Sequence, residues 1–409
     1  MNNKIISTPP LFAIDSSRQY KGYPIIDYSE YLLNMPQILS DVNNIAAHFN
    51  RKGVTKVIGI ADKGLIFAEL IAHQLGLPLV VAGEGHKMPG QMLSVDITHD
   101  DNKIKYLQIF RGVISADYEV YGVVDEITTS GETLYDTIKT LEDYRSSNKS
   151  CGATCSFISN VSAINPNYDA AFAENVHVSA YLFQNETIHP SRTPIISPLI
   201  TPPNYLSFST DELKKEILVY INKLRGSILW TNFDHILANQ QLMNSACDYM
   251  IEPYRNQKID KVVSLAVRGF HFGALIAKKL GAGIVLAEKR EKILSDDIES
   301  KIYGMEYAEQ LEMAIRKGLI KPGDRILIID DILATGGTLN AAIELVERFG
   351  ATVVGASCLI KINHVFEDKN FGNKVDTNKY QITTPLEFSK QELEEKEKEH
   401  KQRIRTFIK

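Results

Sequence analysis

The chain has 409 residues, 44% apolar and 23% charged, an ordinary globular composition with room for two or three domains. Its net charge of −5 gives no reason to expect nucleic acid or an anionic membrane as a bulk partner. No apolar run approaches membrane-spanning length, and we expect no signal peptide. Four cysteines, including Cys151 and Cys155, match neither a disulfide framework nor a zinc motif, so we expect reduced thiols and a cytoplasmic location.

The first half of the sequence reappears in the second half at a constant offset of 205 positions. Residues 57–64 align with 262–269, and residues 123–133 align with 328–338, both without a gap. A single offset across blocks this far apart predicts a duplicated domain rather than a solenoid built from short repeats.

The boundary between the halves is marked by prolines. A stretch without helical periodicity favours an extended linker, and its prolines are Pro190, Pro194, Pro198, Pro202 and Pro203. We therefore predict a first domain over 1–205 and a second over 206–409.

Each half alternates β-branched runs with amphipathic helical stretches, which predicts an α/β fold with a mainly parallel sheet and ligands at the carboxyl ends of its strands. In the second half the predicted strands are Val262–Leu265, Ile284–Ala287, Ile326–Ile329 and Val353–Ile360, and the predicted helices are Phe270–Leu280 and Leu339–Phe349. A capping box of Ser389 and Glu392 opens a charged helix predicted over Ser389–Arg405.

The most informative segment is Asp330–Thr338, which follows the apolar run Ile326–Ile329 and opens the helix from Leu339. Backbone amides of a glycine-containing loop at a helix N-terminus can hold a phosphate. The two preceding carboxylates can accept hydrogen bonds from vicinal hydroxyls. Together these groups suit a sugar that carries a 5′-phosphate.

This segment resembles the phosphoribosyl pyrophosphate (PRPP) motif of type I phosphoribosyltransferases, and Leu-Ala-Thr-Gly-Gly-Thr is typical of the adenine phosphoribosyltransferase family. The resemblance implies two tandem Rossmann-like domains, and a second domain that converts adenine and PRPP to AMP and pyrophosphate with Mg²⁺, in a purine salvage reaction. It implies that Asp330 and Asp331 hold the ribose hydroxyls, with Mg²⁺ bound through PRPP and no protein ligand assigned. The 5′-phosphate would lie on Ala334, Thr335, Gly336, Gly337 and Thr338.

Three further segments of the second half carry the resemblance. Arg268-Gly269-Phe270 is similar to the pyrophosphate loop, although Ala266 stands where the family has an acidic residue. Tyr303–Tyr307 resembles a flexible loop, which implies catalytic roles for Glu306, near N7 of the purine, and for Arg268. A basic run after the predicted strand Ile284–Ala287 either helps to hold pyrophosphate, often across a dimer interface, or is a solvated loop. Its candidates are Lys289, Arg290 and Lys292.

The base-binding segment matches the family least well. The segment around Leu229, Trp230 and Thr231 lies where the family has Phe-Arg-Asp, with Thr231 at the position of the arginine, and Ile362 would close the other face of the base. Trp230 suits either stacking or core packing. Because Thr231 replaces an arginine, guanine, hypoxanthine or xanthine remains an alternative base. A PRPP-sensing regulatory protein is a further alternative, against which the retained Glu306 argues.

The first domain is a divergent copy with Glu132 at the second loop glycine. Its possible second site consists of Lys63, Lys87, Asp125, Glu126, Ser130, Gly131 and Thr133. Three interpretations stay open: a second active site, a regulatory PRPP or nucleotide site, or a structural partner. The expected partners are PRPP and a purine base, with the halves packed as a pseudo-dimer or the chain forming a homodimer.

Overall fold

A computed structural model of the chain describes residues 13–20, 23–84, 92–98, 104–110, 120–125, 137, 157–160, 176–178, 200–219, 221–225, 228–231, 233–293, 297–305, 308–368 and 374–407. Of the predicted residues, Cys151, Cys155, Lys87, Glu126, Ser130, Gly131, Thr133 and Glu306 lie outside this description, as do the side chains of Leu229, Trp230 and Thr231. Among the described residues no helix has the length and apolarity that crossing a membrane requires.

The elements of the first half begin with a hairpin and continue as strands around two helices. They are β1 (Ala13–Tyr20), β2 (Tyr23–Asp27), α1 (Met35–Arg51), β3 (Lys56–Ile60), α2 (Gly64–Leu75), β4 (Leu79–Glu84), β5 (Met92–Thr98), β6 (Ile104–Phe110), β7 (Tyr121–Val124), β8 (Phe157–Asn160) and β9 (Val176–Val178).

The second half repeats this succession and adds a C-terminal helix. Its elements are α3 (Thr210–Val219), β10 (Ile221–Arg225), β11 (Ile228–Thr231), α4 (Asp234–Leu237), α5 (Gln240–Ile251), β12 (Lys261–Leu265), α6 (Gly269–Leu280), β13 (Gly283–Lys289), β14 (Ile298–Met305), β15 (Ala308–Arg316), β16 (Arg325–Leu333), α7 (Gly337–Arg348), β17 (Thr352–Ile362), α8 (Asn363–Glu367), β18 (Ile382–Thr383), β19 (Leu386–Phe388) and α9 (Lys390–Phe407).

The two main sheets share one strand order, so the duplication read from the sequence is also a duplication of topology. Within the described residues the first sheet runs β5-β6-β4-β3-β7-β8-β9 and the second β14-β15-β13-β12-β16-β17-β18, with β19 also pairing to β17. In both sheets the first three strands are antiparallel neighbours and the remaining pairs are parallel. The α/β class and the predicted strands are confirmed.

The predicted helices of the second half are confirmed, and glycines mark their ends. α6 stops at Gly281, which has a φ of +65°. Gly76 ends α2 in the same way with a φ of +68°, as expected for a left-handed residue that closes a helix. At the C-terminus the Ser389 hydroxyl accepts from the amide of Glu392, whose carboxylate accepts from the amide of Ser389, so the predicted capping box forms at the start of α9.

The two halves pack on each other through equivalent helices. α2 lies against α6, and one apolar core spans both, with Phe67 and Leu70 from α2 and Phe272 and Ala277 from α6. Residues equivalent by the 205 offset meet at this contact, because the Lys278 ammonium lies 3.2 Å from His73 Nδ1. Two copies of a domain packed face to face around a twofold axis have this geometry. The two halves therefore meet through equivalent elements of the repeat.

Candidate functional site

The acidic pair lies near the carboxyl end of β16, where parallel strands of this fold class present their ligand-binding groups. Asp331 is buried, and its amide donates to the Asp330 carboxylate over 2.9 Å. Burial raises the pKa of Asp330, and the adjacent charge of Asp331 raises it further, while Arg268 and the backbone hydrogen bond oppose the shift. The pair is thus a compact, partly desolvated acceptor site.

A glycine turn connects this pair to α7. Gly336 has a φ of +86°, a conformation that side chains rarely adopt, and Gly337 begins the helix. Gly336 has no side chain with which to cap α7, so the first amides of the helix can face an anion. Thr335 is buried, and its hydroxyl lies 3.5 Å from the Gly337 amide. Ala334 and Thr338 flank the turn and are partly exposed.

The loop between β12 and α6 brings Arg268 to the acidic pair. Arg268 Nε lies 2.8 Å from Asp331 Oδ2, and the arginine side chain is 49% exposed. Gly269 permits the close approach, since a Cβ there would lie 3.0 Å from the Ile329 carbonyl oxygen. Buried Ser264 fixes the loop by donating to the Gly269 carbonyl over 2.8 Å. The Arg268 loop and Asp330, which are 62 positions apart in sequence, therefore lie together in one region of the structure.

A family model described as phosphoribosyl transferase domain matches residues 29–180 and 232–391. The chain belongs to the phosphoribosyl transferase domain family. Adenine phosphoribosyltransferase of Clostridium botulinum is 39% identical over 150 residues, covering 37% of this chain and 86% of its own length. Adenine phosphoribosyltransferase of Clostridium tetani is 34% identical over 177 residues, covering 43% of this chain and 98% of its own.

A solved structure of adenine phosphoribosyltransferase from Rhodothermus marinus is 30% identical, covers 43% of this chain and 98% of its own, and has a TM-score of 0.38. At that score it adds nothing to the assignment, which depends on the family model and the relatives. Those two findings support an enzyme that transfers phosphoribosyl groups. The predicted family resemblance and the presence of two phosphoribosyl transferase domains are confirmed.

The basic segment of this phosphoribosyl transferase reaches towards the first half. Lys292 lies 3.2 Å from Asp62, and Glu288 at the end of β13 lies 3.2 Å from Lys63. Arg290 donates to the Ile293 carbonyl over 2.8 Å, and Lys289 is exposed. Glu288 and Lys292 of the second half therefore contact Lys63 and Asp62 of the first half, in the loop that is equivalent to the Arg268 loop. Its predicted role in holding pyrophosphate stays a prediction.

The candidate base-binding residues are described less fully. Leu229, Trp230 and Thr231 lie on β11. In sequence, Glu306 lies between β14 and β15, two strands that form a hairpin in which Tyr303 pairs with Leu311. Ile362 ends β17 fully buried, so in this conformation its side chain leaves no surface open to a base.

In the first half, Lys63 and Asp125 are the described members of the possible second site. Lys63 precedes α2, and Asp125 follows β7 and is partly exposed. The equivalent residues of the second half are Arg268 and Asp330. The remaining predicted members of that site lie outside the described residues.

Sequence analysis did not single out Phe233, whose ring centroid lies 5.8 Å from the guanidinium carbon of Arg268. Phe233 comes just after the predicted base segment, three residues beyond Trp230. The available signal was the 205 offset, which aligns Phe233 with the aromatic Tyr28 of the first half.

Proposed function

We propose that the chain is a purine phosphoribosyltransferase of salvage metabolism that converts adenine and PRPP to AMP and pyrophosphate in its second domain. The observation that carries this proposal is the junction of Arg268, Asp331 and the glycine turn before α7. A cationic loop, a carboxylate pair and an open helix N-terminus are complementary to the three polar parts of PRPP. The adenine names of the relatives support the choice of base.

In the reaction, the bond from ribose C1′ to pyrophosphate breaks and a bond from C1′ to a nitrogen of the base forms. Asp330 and Asp331 accept hydrogen bonds from the ribose hydroxyls, and the amides from Ala334 to Thr338 hold the 5′-phosphate. Arg268 binds the departing pyrophosphate with bidentate donors. As the new bond forms the purine ring loses a proton, which the Glu306 carboxylate accepts, and the Glu306 loop excludes water from the oxocarbenium-like transition state.

The residues present fit a magnesium ion that is bound mainly by its substrate. Mg²⁺ is usually held by one or two carboxylates together with substrate phosphates, and Asp330 and Asp331 provide two adjacent carboxylates. When bound, the ion neutralises the leaving pyrophosphate.

We assign catalysis to the second domain, over about 206–409, and a structural role to the first, over about 1–205. Both ion pairs cross between the halves: Lys63 of the first half pairs with Glu288 of the second, and Lys292 of the second half pairs with Asp62 of the first. The loop cation of the first half thus already has an acidic partner. In the second half Val267 replaces Asp62 at the position before the cation, and Arg268 has no acidic neighbour in its own loop. The second half also keeps Gly337 in its turn, where the first half has Glu132, a carboxylate that would oppose a bound phosphate. These differences support catalysis in the second domain. The cytoplasmic location stays a prediction from the cysteine content.

The test is a PRPP-dependent assay of the full chain with adenine, guanine, hypoxanthine and xanthine in the presence of Mg²⁺. Asp330→Asn/Asp331→Asn is compared with the matched pair Asp125→Asn/Glu126→Gln. We expect adenine turnover that the first double variant abolishes and the second largely retains. Thr231 stands where the family has an arginine, so an oxopurine is the alternative base. Faster turnover with guanine, hypoxanthine or xanthine than with adenine would make that purine the preferred substrate. Loss of turnover only in the second double variant would place catalysis in the first domain.

A further inference from the structure

The cation of the Arg268 loop lies between a carboxylate and an aromatic ring. Its guanidinium carbon is 5.8 Å from the centroid of Phe233, and its Nε is 2.8 Å from the Asp331 carboxylate. Phe233 is 6% exposed, and Phe272 holds it edge-on with a centroid distance of 5.8 Å and an interplanar angle of 81°. The ring under Arg268 is thus fixed by the core, whereas the arginine above it is half exposed.

The first half contains the same arrangement at equivalent positions. The Lys63 ammonium lies 5.9 Å from the ring centroid of Tyr28, and Tyr28 lies 6.4 Å from Phe67. Tyr28, Lys63 and Phe67 are each 205 positions before Phe233, Arg268 and Phe272. Since the duplication, the cation and the ring beneath it have both come to differ in type, yet each half keeps a cation over a core-anchored ring. The ring is therefore tied to the loop cation and not only to the core of one domain.

The Phe233 ring can restrain the Arg268 side chain in a way that the Asp331 carboxylate cannot. A half-exposed arginine samples many rotamers, and ordering it on binding reduces affinity. Asp331 restricts Arg268 by charge, but its carboxylate competes with an incoming phosphate for the same guanidinium. A ring face attracts the cation without taking a hydrogen bond. Phe233 can thus hold the guanidinium over the loop while all its donors become available to a diphosphate.

We propose that Phe233 is a positioning residue, which acts through Arg268 to orient its guanidinium for the pyrophosphate group of PRPP. The inference rests on the function proposed above and deepens it, because no residue of the base segment was otherwise connected to the pyrophosphate loop. An aliphatic side chain at this position raises the KM for PRPP by about two- to fivefold, the effect of one exposed cation–π contact. It changes kcat little, since the ring does not touch the reacting atoms.

The experiment compares Phe233→Leu with Phe233→Tyr, which installs the ring that the first half uses, and with Phe49→Leu. Phe49 is fully buried in α1 against Gly122, so its variant reports the general cost of losing a core ring. We measure KM and kcat with PRPP, and the calorimetric affinity for magnesium pyrophosphate without a base. The Leu change at position 233 weakens both PRPP and pyrophosphate, the Tyr change restores both, and Phe49→Leu lowers only the melting temperature.

A double-mutant cycle separates positioning from packing. In an Arg268→Ala background, Phe233→Leu has no further effect on pyrophosphate affinity if the ring acts through the guanidinium. An equal loss in both backgrounds, or unchanged affinity in Phe233→Leu alone, overturns the inference. If Phe233→Leu does not fold, Phe233→Met, whose flexible unbranched side chain adapts to the space that the ring leaves, takes its place. Wild-type protein that neither turns over PRPP nor binds pyrophosphate refutes the proposed function instead, so the two failures are distinguishable.

Discussion

Replacing Glu69 by glutamine tests whether the halves are packed together in solution. Glu69 lies in α2 and is fully buried. Burial raises the pKa of its carboxyl from 4.5 to about 8, although Gln240 and Lys278 from the other half oppose the shift. The folded state therefore holds this proton more tightly than the unfolded chain, and the free energy of unfolding falls as pH rises from 4.5 to about 8.

The magnitude follows from that window. Each pH unit within it lowers the free energy of unfolding by about 1.4 kcal/mol, so the whole loss above pH 8 is at most about 5 kcal/mol. Glutamine cannot ionise and avoids this loss, but its amide needs partners in the same buried place, which offsets part of the gain. We expect Glu69→Gln to stabilise the protein by about 2 kcal/mol at pH 8, or roughly 4–8 °C in melting temperature, and to have little effect at pH 4.5.

The assay is thermal and urea unfolding of the full chain at pH 4.5, 6, 7 and 8, with variant and wild type measured side by side. Glu216→Gln, the same chemical change on the exposed face of α3, is the control and should leave stability nearly unchanged at each pH. A Glu69→Gln variant whose gain is absent at pH 8, or is the same at every pH, would refute the reasoning. The carboxyl would then be hydrated in solution, and α2 would not be covered by the second half.

Three other variants test the site and the contact between the halves. Asp330→Asn should abolish turnover yet stabilise the protein at pH 7, because burial raises the pKa of this carboxyl and stability falls as pH rises above 3.8. Activity and urea unfolding measured together check this, and a less stable variant would contradict it. Gly269→Ala places a Cβ 3.0 Å from the Ile329 carbonyl oxygen, so the loop or the strand must shift. We expect a loss of about 1–3 kcal/mol in the free energy of unfolding and a higher KM for PRPP. An unchanged free energy of unfolding together with an unchanged KM would count against the close approach. His73→Lys opposes the Lys278 ammonium with a second charge and should cost about 3 kcal/mol, which thermal unfolding would detect and which high salt should partly relieve.

Local patterns were sufficient to predict four strands and three helices of the second half, and they picked out Arg268, Asp331 and the glycine turn, although not Phe233. The run Ile326–Ile329 and the glycines after Asp331 carry signals of strand, turn and helix within a dozen residues, so β16, the turn and α7 were read correctly. The 205 offset predicted two domains of one topology. The offset did not give the packing of the halves, because this depends on contacts between residues that are distant in sequence, such as His73 with Lys278.

The burial of Ile362 shows a second limit of sequence reasoning. A count along the matched segment gives the strand end on which a residue lies, and Ile362 does end β17. It does not give the side-chain environment, which here includes Phe388, its partner in the register of β17 with β19. Similarly, Lys292 was read as one member of a basic run, and only the tertiary structure reveals that its ammonium pairs with Asp62 of the other half. Periodicity and motif order predict where the backbone elements lie, whereas the orientation of a cationic side chain depends on its tertiary contacts.

The contact between His73 and Lys278 illustrates one consequence of joining two domains in a single chain. In a symmetric dimer a residue near the twofold axis faces its own copy, and Lys278 in both subunits would bring two ammonium groups together. Here His73 occupies the equivalent place, and burial, followed by the charge of Lys278, lowers the pKa of its imidazole to about 3. The neutral ring accepts from Lys278 at Nδ1 and donates to the Asn244 side chain from Nε2, 3.3 Å away, which one tautomer satisfies. A fused pair can place different residues on the two sides of its axis, so an asymmetric hydrogen bond replaces a like-charge contact.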